Sequence, residues 1–115
     1  MLSNNTLEYI AVLEQEFSRH ANRQLALQQE AYLRHQFRFF GISTQQRRAL
    51  QKPFLQKSML PPKTEQHGLV KVLWNKNERE FHYFGQELSI KYLKATEKED
   101  ILLYEHMVAN QSWWD

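Results

Sequence analysis

The chain has 115 residues, 42% of them apolar and 13% aromatic, enough to bury one core and too apolar for a disordered segment. No window approaches the ~18–20 apolar residues of a membrane span. Early charges at Glu8, Glu14 and Glu16 are not what a secretory signal carries. With no cysteine there is neither disulfide nor thiolate chemistry, and the expected location is cytoplasmic. Three glycines and three prolines leave little material for hairpin turns, so the expectation is an all-α domain.

In chain order, Thr6 or Asn5 can cap a first helix. Leu7, Ile10, Leu13 and Phe17 recur within it at three- and four-residue steps, up to about His20. Asn22 can cap a second, running to about His35 with Leu25, Tyr32 and Leu33 on its inner side. An aromatic corner follows, Phe37-Arg38-Phe39-Phe40-Gly41-Ile42, in which Gly41 can take a positive φ. Phe37, Phe39, Phe40 and Ile42 are expected to pack in the core. Ser43 and Gln46 form a capping box that opens a third helix, which Pro53 should end or kink.

Residues 58–63, with Pro61-Pro62, read as an exposed connection. Thr64 caps a fourth helix, in which Leu69 with Leu73 and Val70 with Trp74 lie four apart. Asn77 with Glu80 has the pattern of a capping box for a fifth. Its apolar residues Phe81, Phe84, Leu88 and Tyr92 form the clearest stripe in the chain. Thr96 and Glu99 open a sixth helix in the same way, and its apolar residues cover more than one face. Ser112 then caps a single turn, Trp113-Trp114-Asp115. One turn is not a stable helix, so residues 1–115 are expected to be the N-terminal part of a longer protein. Helix pairs with two-sided inner helices suggest an α-solenoid.

Charge is segregated. From Ala31 to Thr64 there is no Asp or Glu but seven cations: Arg34, Arg38, Arg47, Arg48, Lys52, Lys57 and Lys63. The whole chain carries only +2, which leaves about −5 for the remainder. Either other helices supply acids to this face, or it is a phosphate-binding surface. Ser43 and the first-turn N–H groups beside Arg47 and Arg48 suit the second reading. Tyr32 is either packed or an exposed contact residue, because its hydroxyl needs water or a partner. None of the five histidines falls in a metal spacing, so neither a metal nor a cofactor is expected.

The indoles of Trp113 and Trp114 point about 100° apart on a helix. One is expected to pack inward. The other, beside a carboxylate, suits a cation or a positively charged transition state. The alternative is two packed tryptophans with a helix-start acid.

Three segments together resemble the AlkD-like DNA alkylation repair enzymes, glycosylases built of HEAT-like helical repeats. They are Tyr32 to Arg48 (YLRHQFRFFGISTQQRR), Leu73 to Phe81 (LWNKNEREF) and Ser112 to Asp115 (SWWD). The resemblance implies removal of cationic N3- or N7-alkylated purines from double-stranded DNA lying in a basic channel. It implies substrate contacts from Trp114 and Tyr32 and a polar DNA contact at the position of Ser43, beside Arg47 and Arg48, which the charge reading sets on the DNA-binding surface. The family often places Gln where this chain has Ser43. Its catalytic aspartate falls three residues beyond Asp115, so no catalytic residue is expected among these 115, and they alone are expected to be inactive. A monomer is expected. The alternatives are a non-catalytic helical-repeat module that binds DNA by charge, or a protein scaffold.

Overall fold

The computed structural model describes residues 2–92. The expected sixth helix and the Ser112–Asp115 turn, with Trp113 and Trp114, lie outside the described residues. Within them the chain forms five α-helices: α1 (Asn4–Arg19), α2 (Arg23–Tyr32), α3 (Thr44–Gln51), α4 (Gln66–Trp74) and α5 (Arg79–Lys91). Three short 3-10 turns, Lys52–Leu55, Lys57–Met59 and Lys63–Glu65, join α3 to α4. There is no strand among the described residues, only one bridge pair between Arg38 and Glu78.

The two expected stripes meet. Phe81, Phe84, Leu88 and Tyr92 of α5 are buried, as are Leu69, Val70, Leu73 and Trp74 of α4. From α1 come Tyr9, Ile10, Leu13 and Phe17, with Phe17 and Phe81 ring centroids 5.6 Å apart. Burial of each large apolar side chain contributes about 1.5–3 kcal/mol. Leu7, expected on the inner side of α1, is instead half exposed. Thr6 and Tyr9 take the stripe positions.

Helix starts were the least legible feature. Ser3, rather than Thr6 or Asn5, caps α1, its Oγ accepting from the Thr6 N–H at 3.3 Å. Asn22 caps α2 through the Leu25 N–H and Ser43 caps α3 through the Gln46 N–H, as expected. Thr64 does not cap α4. It sits in a 3-10 turn, and the neighbouring Glu65 carboxylate accepts from the Ser3 N–H at 2.6 Å. The Asn77–Glu80 capping box is absent. α5 starts at Arg79, whose N–H donates to the Arg38 carbonyl at 2.8 Å, and the Glu80 carboxylate is engaged elsewhere.

That carboxylate closes the aromatic corner. Buried Glu80 accepts from the N–H groups of Phe40 at 3.1 Å and Gly41 at 3.2 Å. Glu30 accepts from Phe39 N–H, and the Gln29 side-chain amide donates to the Ile42 carbonyl. Gly41 adopts φ +93° with the start of α2 pressed against it: a Cβ there would stand 1.8 Å from the Asn22 carbonyl oxygen. Of the corner's apolar residues, Phe37 and Ile42 are buried, while Phe39 and Phe40 are partly so. α2 stops at Tyr32, short of the expected His35, because Arg34 and His35 turn the chain through left-handed backbone at φ 55° and 61°.

Candidate nucleic-acid interface

Three helices leave a groove of about 750 Å³ between them. α2 contributes Leu25, Gln29 and Tyr32; α3 contributes Thr44, Arg47 and Arg48; α5 contributes Tyr83, Gln86, Glu87 and Ile90. Tyr32, Arg47 and Arg48, singled out from the sequence, therefore share one concave surface. Ser43 stands exposed at the start of α3, just off the groove lining, with its hydroxyl engaged in the cap.

Tyr32 is 80% exposed at the last turn of α2. This overturns its placement on the inner side of α2 and fits its other reading, an exposed contact residue. An aromatic ring so far out of the core adds little to folding, and it is available to stack on a ligand.

The two adjacent arginines diverge. Arg48 keeps 66% of its side chain exposed and stands 3.7 Å through Nε from Glu87 Oε1. Arg47 is buried. Its Nη1 donates to Gln51 Oε1 at 2.8 Å and to Glu87 Oε2 at 2.5 Å, and its guanidinium lies 5.1 Å from the Tyr83 ring centroid. The Gln51 amide donates to the same Glu87 oxygen at 2.7 Å. Arg47 is thus neutralised within the protein, and its expected phosphate contact is replaced in this structure by an ion pair with α5. The reason is rotational: adjacent helical residues point about 100° apart, so only one of the pair can face outward. Burial works to raise the Glu87 carboxyl. Hydrogen bonds from Arg47 and Gln51 and the charges of Arg47 and Arg48 outweigh it and hold the group below the usual carboxylate range.

The rest of the basic window remains at the surface. Arg34, Arg38, Lys52 and Lys57 are exposed. In α3 the first-turn N–H groups of Thr44 and Gln45 make no hydrogen bond among the described residues, while those of Gln46 and Arg47 are satisfied by Ser43.

Behind the groove lies a buried polar cluster that sequence reasoning missed. The Arg79 guanidinium is 4.0 Å from the Phe37 ring centroid and 5.2 Å from that of Tyr83. Its Nη1 lies 3.2 Å from His82 Nδ1, and His82 Nε2 lies 2.9 Å from the Lys76 carbonyl oxygen. A guanidinium can only donate, so Nδ1 accepts and Nε2 carries the proton. His82 is therefore neutral. Burial, then the Arg79 charge, depresses its pKa to about 4, against the Lys76 carbonyl bond acting the other way. Burial also raises the Glu80 carboxyl, only partly countered by the N–H groups it accepts from.

The family model of the DNA alkylation repair enzyme matches residues 13–115. Among solved structures, the "Predicted DNA alkylation repair enzyme from Enterococcus faecalis" superposes with a TM-score of 0.74 at 30% identity. The match covers 83% of this chain and 45% of that one, so this chain spans under half its relative's length. A comparison with curated proteins found no match.

Proposed function

This chain belongs to the DNA alkylation repair enzyme family, and on that footing we propose that the complete gene product is a DNA glycosylase acting on double-stranded DNA. Its substrates are purines made cationic by alkylation at N3 or N7. It works as a monomer, in the cytoplasm. The observation that carries the reading is the pairing of exposed Tyr32 with exposed Arg48 on one groove, an aromatic face beside a phosphate-seeking cation. Arg34, Arg38, Lys52 and Lys57 extend the positive surface along the phosphate backbone.

The chemistry asks little of such a protein. An N3- or N7-alkylpurine is already positively charged, and breaking its glycosidic bond releases a neutral base, so no strong general acid is required. Indole faces hold the cationic nucleotide, and a carboxylate stabilises the oxocarbenium ion and positions water. In this reading Trp114 contacts the nucleotide, and the carboxylate is the aspartate that the family resemblance implies three residues after the position of Asp115.

The test is release of free 7-methylguanine from methylated duplex DNA. The complete gene product should release it, its Trp114→Ala variant about tenfold more slowly for loss of a cation–π contact. Residues 1–115 alone should release none above the spontaneous rate. Release by residues 1–115 removes the assigned carboxylate and makes Asp115 the acid to test. No release by the complete product, with tight duplex binding retained, replaces this reading by a non-catalytic DNA-binding module.

A further inference from the structure

The groove that would face DNA carries an acid, and it is placed where it weakens the DNA grip. We propose that Glu87 is a specificity-determining residue that restrains phosphate binding, so that the protein releases undamaged duplex. The inference rests on the duplex-binding reading above.

Glu87 lines the groove with its side chain 31% exposed, so its charge is felt by anything entering. One carboxylate oxygen locks Arg47 against Gln51, removing that cation from the surface. The other faces Arg48 at 3.7 Å, too far for a hydrogen bond but close enough to offset much of its charge. Two arginines and one carboxylate thus present a net single positive charge, held by an exposed side chain that must leave an acid to reach a phosphate. Were stability the only role, closure of one carboxylate oxygen on Arg47 and Gln51 would suffice in a fully covered site. Here the carboxylate stays at the groove wall. A repair protein that searches mostly intact DNA gains from such a brake, because the phosphate term is common to every site and carries no information about damage.

The experiment measures equilibrium binding of the complete gene product to an undamaged duplex across a salt series. Glu87→Gln keeps the shape and a hydrogen-bond acceptor but removes the charge. It should bind the undamaged duplex roughly fivefold tighter at about 0.1 M salt. The slope of log K against log salt should steepen by about 0.5–1. Because Glu87→Gln leaves Arg47 without a counter-ion and can fail to fold, Arg47→Met/Glu87→Met is the second variant. It removes both charges of the part-buried pair together, a change often tolerated, and leaves Arg48 unopposed. It too should bind undamaged duplex more tightly than wild type. A loss of packing alone cannot raise affinity. If either folded variant binds the undamaged duplex no more tightly, with an unchanged slope, the role assigned to Glu87 is overturned. Arg48→Ala separates the two readings. If it leaves the wild-type slope unchanged, the duplex lies elsewhere and the groove reading falls with the inference. If it lowers the slope while the Glu87 variants do nothing, only the inference falls.

Discussion

Acid should loosen the corner behind the groove through His82. The imidazole is fully buried between Trp74 and Phe37, at ring-centroid distances of 5.3 and 5.7 Å. Its two nitrogens are committed, one donating to the Lys76 carbonyl and the other accepting from Arg79. Burial disfavours a charged ring, and a second proton would also set an imidazolium against a guanidinium, so the folded-state pKa falls from 6.5 to about 4. With the folded pKa depressed, the unfolded chain takes up the proton first. The stabilisation is full above pH 6.5, declines as pH falls from there towards 4, and is gone below that. A shift of this size is worth at most about 3 kcal/mol, and about 2.5 kcal/mol by roughly pH 4.5. Glu80 shifts the other way, its raised carboxyl favouring the folded state as pH falls. A comparator that cannot titrate is therefore needed. Urea unfolding of wild type and His82→Gln at about pH 7.5 and pH 4.5 isolates the His82 part. The wild type should lose about 2.5 kcal/mol more than the variant between the two conditions. Equal losses in both would show that the folded imidazole takes up its proton as readily as the unfolded one, and the Arg79–His82 hydrogen bond would have to be withdrawn.

Two further outcomes follow from the corner and the groove. Gly41→Ala should cost more than ~3 kcal/mol in a thermal or urea melt, since the new Cβ meets the Asn22 carbonyl on backbone at φ +93°. A melt within about 1 kcal/mol of wild type would mean the corner relaxes easily. Tyr32→Ala, at an 80% exposed position, should leave stability within about 0.5 kcal/mol. The same variant of the complete gene product should lower kcat/KM for 7-methylguanine release about 3–10-fold, as for one lost aromatic contact. Unaltered kcat/KM would remove Tyr32 from the interface.

The stripes were legible because they are local. Phe81, Phe84 and Leu88 recur at a period only a helix satisfies, and all three are buried. Local caps also read correctly at Asn22 and Ser43, where the oxygen and its N–H lie three residues apart. Two of the misreadings share one cause, a tertiary partner that displaces a local one. Glu80 matches the third position of a capping box, but the corner N–H groups about forty residues away take its carboxylate. Arg47 and Arg48 look equivalent in sequence. Only the approach of α5 shows that one is neutralised inside and the other stays out. The signal that could have helped was the acid-free window itself. With seven cations and no acid of its own, it draws any partner carboxylate from another helix.

The corner explains how an exposed residue can still be positioned. Arg34 and His35 hold left-handed backbone without being glycine, at about 1–3 kcal/mol each, and they directly follow Tyr32. Such a turn persists only where the surroundings over-determine it. Here the His35 N–H returns to the Glu30 carbonyl at 2.7 Å, while Glu30, Glu80 and Gln29 fix Phe39, Phe40, Gly41 and Ile42. The same bonds that hold the turn also fix α2 against the start of α3. The backbone under Tyr32 is therefore held from both sides while its ring remains in solvent, as a site on rigid elements requires. A surface aromatic tolerated by chance needs no such support. The buried polar bonds beneath Tyr32 instead hold the end of α2 in a fixed relation to the start of α3, the two elements that carry Tyr32 and Arg48 on the groove wall.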